Sequence, residues 1–589
     1  MPPRALFTFA AQWKTVWAAT RGLVRRRELA LVVLASAIGI VGGGAVTLIS
    51  QAAYALQQFF YRLPAGTRLS GSVQLESPWL ALVPAGGGLA LGLLILLGRR
   101  IRPKTAIDPI EANALHGGRM SFVDSVIVAV QTIVSNGCGA SVGLEAAYTQ
   151  INAALASRLG QQFRLRRGDM RIMVGAGAAA GISAAFDAPL TGSFYAFELI
   201  IGTYAIASAA PVMAAALAAS LTVRALGGAA IPLHVPLSSP GHLTDYLLFA
   251  ALGVVCGLCG IAVMRSVGIV EAVFHRSRIP DALRPMIGGL MVGALALITP
   301  QILSSGHAAL HEEFTPVVSL GAVGGLILMK ALASIVSLGA GFRGGLFFAS
   351  LFLGALVGKL FAGVVLIVAP HAALEPSGAA LIGMSALGVA VVGGPLTMTF
   401  LVLEMTGDFV ITGAVLTSAI IAGLTVRELF GYSFSTWRFH LRGETIRSAH
   451  DVGWLRSLTV EKLMKRGVAT VPQHAALDDL RATFPLGSTE RLVAVDSAGR
   501  YSGLLYLPDA FSPDLAEGGT VDALLRHRAD VLRPGMTAKE AIAVFDSTEA
   551  EALAVVAADG SCIGLLTEHH AVRRYADELD KAQMETFAG

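Results

Sequence analysis

The chain has 589 residues, of which 54% are hydrophobic and 14% charged, with a mean hydropathy of +0.66 and a formal net charge of +4. A soluble protein of this length does not carry so much apolar sequence, so the composition excludes the soluble globular class and points to a polytopic helical membrane protein. The basic residues cluster beside apolar runs, where they read as topology signal and not as a nucleic-acid footprint, and four cysteines are too few for a disulfide framework.

Residues 1–27 form a segment with Lys14, Arg21, Arg25, Arg26 and Arg27, which predicts a cytoplasmic N-terminus without a cleavable signal peptide. A first span is predicted from Leu29 to about Phe60 and a second from Leu80 to Leu97, ending in the basic stretch Gly98 to Lys104. Basic clusters at Arg164 to Arg171 and Arg265 to Arg284 predict returns to the same side, and the acidic stretch His307 to Glu313 predicts the other. Several apolar runs are shorter than the roughly 20 residues a spanning helix needs. Such helices stop partway, which is tolerated only where protein or a water-filled cavity surrounds their ends. Cys256 and Cys259 form a CxxC inside an apolar helix and read as packing residues.

The membrane region, 28–436, contains a repeat. Ser135-Asn-Gly-Cys-Gly-Ala-Ser-Val-Gly-Leu-Glu-Ala-Ala-Tyr148 aligns without gaps on Ser337-Leu-Gly-Ala-Gly-Phe-Arg-Gly-Gly-Leu-Phe-Phe-Ala-Ser350. Ser, three Gly, Leu and Ala coincide, and Glu145 falls opposite Phe347. Further on, Phe186 to Thr191 with Phe194 and Glu198 returns as Gly393 to Thr397 with Phe400 and Glu404. The offsets, 202 residues (145 to 347) and 206 (189 to 395), make the halves, about 28–227 and 244–436, nearly equal in length. Glycine-broken helix starts in corresponding places of two halves mark a transporter or channel, with its site where the breaks meet, and by that precedent the halves are expected to be inverted. An ionised Glu in mid-membrane costs about 2.5–3.5 kcal/mol on insertion scales and usually marks an ion or proton path. Beside a glycine-rich helix N-terminus the Glu145 carboxylate can occupy the place of a small anion, and its displacement or protonation would open that place. Capping of a helix start is the plain structural alternative. Lys330, in an apolar run, reads as drawing anions toward the pore or equally as snorkelling or paired, and Arg343, beside Gly344, as adding positive potential at a pore mouth or sitting in an interface. Asp187 and Asp408 read as helix caps.

These motifs resemble the CLC family of chloride channels and chloride/proton exchangers. The family's G-x-E-G-P stands here as Gly143-Leu-Glu145-Ala-Ala147 and its G-x-F-x-P as Gly345-Leu-Phe-Phe-Ala349. The resemblance implies Glu145 as the gating glutamate and possible proton acceptor, with the backbone at Gly345, Leu346 and Phe347 around the central anion. It also implies that Gly431-Tyr432-Ser433 brings a tyrosine hydroxyl to that anion. The family's G-S-G-I-P falls on Thr105-Ala-Ile-Asp-Pro109, so Ala106 and Ile107 stand at anion-binding positions and Ala106 has no hydroxyl to offer. Both motif prolines are replaced, by Ala147 and Ala349, and the inner proton carboxylate of many exchangers falls on Leu199. The neighbouring Glu198, matched by Glu404, reads as structural.

After Tyr432 the composition changes: 437–456 reads as a linker, 457–514 and 515–577 as two α/β modules and 578–589 as a tail. The modules repeat one order of elements and resemble a tandem CBS pair. In such pairs a Thr/Ser-Asp before the last helix holds a nucleotide's ribose, and Thr567-Glu568 is a near match, so an adenosine nucleotide is the one cofactor this resemblance allows. The expected fold is therefore an all-α polytopic membrane domain of two inverted, structurally related halves with half-spanning helices, followed by a cytoplasmic α/β CBS pair.

The implied function is a homodimeric, multi-pass chloride transporter of the cell (plasma or inner) membrane, with its N-terminus and CBS modules cytoplasmic. Its partners are chloride or another small anion and the lipid bilayer, with no nucleic acid. A passive, voltage- or pH-gated channel is favoured over a chloride/proton antiporter because Leu199 cannot titrate. A fluoride-selective relative is a more distant reading, left open by Ala106. A CBS-linked divalent-cation transporter is opposed by the scarcity of carboxylates in the membrane region. No nucleophile–base or metal-ligand pair stands at working spacing in the apolar segments, so neither an enzyme nor a metal site is expected.

Overall fold

The computed structural model describes residues 28–64, 66–72, 74–101, 106–228, 243–312, 319–370, 374–441, 458–512 and 519–575. The basic N-terminal segment, Thr105, most of the loop between the halves, the linker beyond 441 and the tail 578–589 lie outside the described residues. The chain divides into two compact units, Met1–Asp451 and Val452–Gly589.

The first unit is helical. Its described elements run α1 Glu28–Tyr61, α2 Val83–Ile101, α3 Pro109–Leu115, α4 Phe122–Gly137, α5 Glu145–Phe163, α6 Arg167–Phe186, α7 Pro189–Tyr195 and α8 Ile206–Ala225. They continue with α9 Leu243–Arg276, α10 Arg284–Ala296, α11 His307–Glu312, α12 Leu320–Gly339, α13 Phe347–Val368, α14 Pro376–Val392, α15 Pro395–Thr406, α16 Phe409–Leu429 and α17 Phe434–Leu441. Among the described residues seven helices are long and apolar enough to cross a membrane, while Phe122–Gly137, Pro376–Val392 and Pro395–Thr406 are apolar and too short. Half-length helices predicted from sequence are thus present.

Small residues set the packing. Apolar faces gain nothing from each other in lipid, so close backbone approach supplies the attraction. A Cβ on Gly43 of α1 would stand 2.7 Å from the Ala219 carbonyl of α8. One on Gly358 of α13 would meet Ala380 Cα of α14 at 3.0 Å. The basic cluster ending α2 and the one before α10 meet, with Arg99 and Arg284 each 2.8 Å from Asp281. These two of the clusters assigned to one side from sequence lie together.

The repeat is visible in the hydrogen bonds. Gly139 (φ +89°) and Gly341 (φ +99°), equivalent positions, both take the left-handed conformation that turns the chain out of α4 and α12. Ala140 N–H donates to Ser135 O at 3.0 Å, and Phe342 N–H to Ser337 O at 3.0 Å. The halves then bond to each other reciprocally. Ser141 N–H donates to Ser337 Oγ (3.0 Å) and Arg343 N–H to Ser135 Oγ (3.1 Å). Gly143 and Gly345 form an antiparallel bridge, with N···O distances of 2.9 and 3.3 Å.

The second unit is α/β. Strand β1 (Thr470–Pro472) runs parallel to β2 (Arg491–Val495), which pairs antiparallel with β3 (Tyr501–Tyr506). Strands β4 (Ala552–Val556) and β5 (Cys562–Thr567) form the equivalent antiparallel pair, and Leu532 bridges Val555 in parallel where β1 bridges β2. The register shifts at Ala494/Val495 in one module and at Val555/Val556 in the other, the same place in the repeated order.

Candidate functional site: a carboxylate at two crossing helix starts

Because Gly143 and Gly345 pair back to back, α5 and α13 begin beside each other, at Glu145 and Phe347. Neither start has a side-chain cap. Their free N–H groups and positive dipole ends therefore converge on one small volume. Glu145, 4% exposed, extends its carboxylate into it. The backbone N–H groups of Phe348 and of Glu145 itself face that carboxylate, and its buried Oε2 has no hydrogen-bond partner. A Cβ on Gly345 would lie 3.9 Å from Oε2, at ordinary contact, whereas one on Gly143 would overlap that oxygen. The structure thus brings Glu145, Gly345, Leu346 and Phe347 together. Besides Glu145's own N–H, the amide that faces the carboxylate belongs to Phe348, one residue beyond those singled out from sequence.

Two tyrosine hydroxyls lie within electrostatic reach of Glu145. Tyr148 Oη lies 2.6 Å from Ser50 Oγ, within electrostatic reach of Arg68. Arg68, Tyr61, Ser72 and Ala308 help line an open cavity of about 650 Å³. His307 stacks on the Phe348 ring, with centroids 3.5 Å apart. The Tyr195 hydroxyl lies near the Thr149 side chain, within electrostatic reach of Asp108 and Glu145. Asp108 caps α3, its Oδ1 accepting from Ile110 N–H at 2.8 Å. Ala106 and Ile107 lie just before that cap, and Ile107 O accepts from Gln150 Nε2 at 2.8 Å, which ties the segment to α5.

Tyr432 is held differently from the sequence expectation. Its hydroxyl lies 3.3 Å from His440 Nδ1, and its ring packs on Phe430, Trp437 and His440, because the amphipathic α17 folds back beside it. Leu199 lies in a π-helical turn, Ala196–Ile201, near Gly393. Its neighbour Glu198 caps α15, accepting from Leu396 N–H (3.0 Å), Thr397 N–H (2.9 Å) and Thr397 Oγ1 (2.6 Å). Glu404 does the same for α7 through Leu190 N–H, Thr191 N–H and Thr191 Oγ1. Both glutamates therefore have structural positions. Asp408 caps α16, whereas Asp187 sits at the C-terminal end of α6 and pairs with Arg224. Lys330 is fully buried and donates to the carbonyls of Ile302 (3.0 Å) and Ser304 (2.9 Å). In the second unit Thr567 Oγ1 accepts from His570 N–H at 3.4 Å as the chain enters the helix 568–575, and Glu568 is half-buried beside it.

Sequence reasoning missed Tyr148, Tyr195, Arg68 and Phe348. The usable signal for Tyr195 was the repeat itself: at the 206-residue offset it faces Leu401, a polar-for-apolar difference of the kind that picked out Glu145.

The model of the voltage-gated chloride channel family matches residues 86–427. The voltage-gated ClC-type chloride channel ClcB of Citrobacter koseri is 30% identical over 403 residues, which cover 68% of this chain and 96% of that protein. A slow cyanobacterial Cl−/H+ antiporter superposes with a TM-score of 0.61 at 23% identity, over 70% of this chain and 97% of its own. A eukaryotic CLC transporter superposes with a TM-score of 0.59 at 16% identity, over 93% and 98%. At these identities the two structures establish fold and nothing finer.

Proposed function

Because this chain belongs to the CLC, or voltage-gated chloride channel, family, we propose that it carries chloride across the membrane through the point where α5 and α13 meet, with Glu145 as the gate. The observation that carries this reading is the seat of the Glu145 carboxylate, an anion already held against the Phe348 N–H at an uncapped helix start. A chloride ion arriving there exchanges with a group of the same charge, so the site is never left as an unpaired cluster of donors. Passive, voltage- or pH-gated conduction is favoured over proton-coupled exchange. Leu199 cannot titrate, and Glu198 spends both oxygens on capping α15.

The two halves are read as inverted repeats, a reading supported by their reciprocal bonds. The second unit is read as a cytoplasmic CBS pair, supported by its repeated strand order and matching register shifts. Thr567 and Glu568 are its candidate nucleotide contacts. A homodimer in the cell membrane, with a cytoplasmic N-terminus, is part of the same proposal.

The test is chloride efflux from KCl-loaded proteoliposomes with valinomycin, followed with a pH electrode outside. Chloride release without proton movement is the expected result. Proton uptake driven uphill by the chloride gradient would make the protein an antiporter. Fluoride flux without chloride flux would overturn the chloride assignment.

A further inference from the structure

Tyr195 closes α7, immediately before the π-helical turn Ala196–Ile201. Its ring packs near Phe347 at the start of α13, with centroids 6.2 Å apart. Its hydroxyl lies near the Thr149 side chain, within electrostatic reach of Glu145 and Asp108. The extra residue in a π-turn shifts the face a helix presents, and such turns concentrate at functional sites. In the other half the equivalent residue is Leu401, fully buried, so the fold's own symmetry does not require a hydroxyl here. Two further observations mark the neighbourhood of Glu145. Oε2 of Glu145, against Gly143, is buried without a partner. The positions expected from sequence to supply hydroxyls do not dominate it, since Ala106 has none and the Tyr432 hydroxyl lies against His440.

We propose that Tyr195 is the side-chain hydroxyl ligand of the transported anion: when Glu145 leaves the start of α13, chloride is held between the Phe348 amide and the Tyr195 hydroxyl. A halide that sheds water needs donors from more than one direction. The helix start supplies N–H groups from one side and Tyr195 an O–H from the other. Rotation about the Tyr195 C–O bond aims that proton at the anion without backbone movement. Asp108, beyond the hydroxyl, has Oδ1 engaged by Ile110 N–H and bars a second anion on its own side by charge. One side chain thus binds the anion and marks the end of the dehydrated site.

The inference rests on the chloride-transport reading, and its experiment separates the two. Chloride is titrated calorimetrically into the full-length wild-type protein, Tyr195→Phe and Tyr432→Phe in detergent, and chloride/nitrate flux ratios are measured for each in proteoliposomes. Thermal melting without chloride confirms that Tyr195→Phe, which keeps the ring, is folded. Loss of a hydrogen bond to an ion predicts a chloride Kd raised roughly tenfold or more in Tyr195→Phe. The flux ratio should change with it, and the effect should exceed that of Tyr432→Phe. A Kd within about twofold of wild type, or a larger loss in Tyr432→Phe, overturns the assignment of Tyr195. Absence of chloride binding and flux in the wild type would remove the transport reading and this inference together.

Discussion

The seat of Glu145 depends on the missing side chain at Gly143, and this can be perturbed without touching the glutamate. A Cβ at Gly143 would stand 2.8 Å from Glu145 Cδ and overlap Oε2 outright. The obstructing atoms are the far end of a flexible side chain, so Gly143→Ala is accommodated by driving the carboxylate out of its seat. The backbone is not strained, because Gly143 is not among the positive-φ glycines and its bonds to Gly345 are main-chain. A charge-assisted hydrogen bond is worth about 1.5–3 kcal/mol. Losing the equivalent of one such bond at the helix start multiplies the displaced population of Glu145 about tenfold or more. Gly345→Ala is the matched control, since its Cβ would lie 3.9 Å from Oε2, at ordinary contact. Single-channel recording or chloride efflux across pH and voltage is the assay. Gly143→Ala should resemble Glu145→Gln, with faster flux and weakened dependence on pH and voltage, while Gly345→Ala retains more of the wild-type dependence. Wild-type gating in Gly143→Ala would refute the placement of the carboxylate against the helix starts.

Glu198→Ala and Glu404→Ala each remove three hydrogen bonds to a helix start and should cost about 2–4 kcal/mol of stability, read as a lower melting temperature in detergent. An unchanged melting temperature in both would contradict the capping role. Lys330→Ala leaves the Ile302 and Ser304 carbonyls without their buried donor, and a loss of about 2–4 kcal/mol is expected. Lys330→Met, which keeps the volume, should lose less. The hydrogen bond from Arg99, with the Arg284 charge beside it, holds the Asp281 carboxyl below the usual carboxylate range. The stability this cluster adds is present above the unfolded carboxyl value and lost as pH falls through the depressed one. The melting temperatures of wild type and Asp281→Asn should therefore converge in acid, and a gap that persists there would point to a role other than charge.

The sequence by itself determined the membrane class, the half-length helices and the repeat, because each is written in local terms. Apolar run length, glycine spacing and side-chain identity need no partner to be read. Glu145 was legible for the same reason: a carboxylate stood where the other half has Phe347. The order of elements in the second unit was legible too, since alternating apolar runs and turn residues mark strands locally. Only the tertiary structure decided what depends on two distant segments meeting. The Gly143–Gly345 bridge places α13 beside α5, so the amide that receives the carboxylate is that of Phe348, about 200 residues away. The π-turn after Tyr195 changes the helical phase, which no 3.6-residue count from Pro189 anticipates, and α17 turns Tyr432 toward His440. Residue types reveal which groups can bind an anion. Which of them share one buried volume is set by backbone crossings between halves that sequence spacing does not encode.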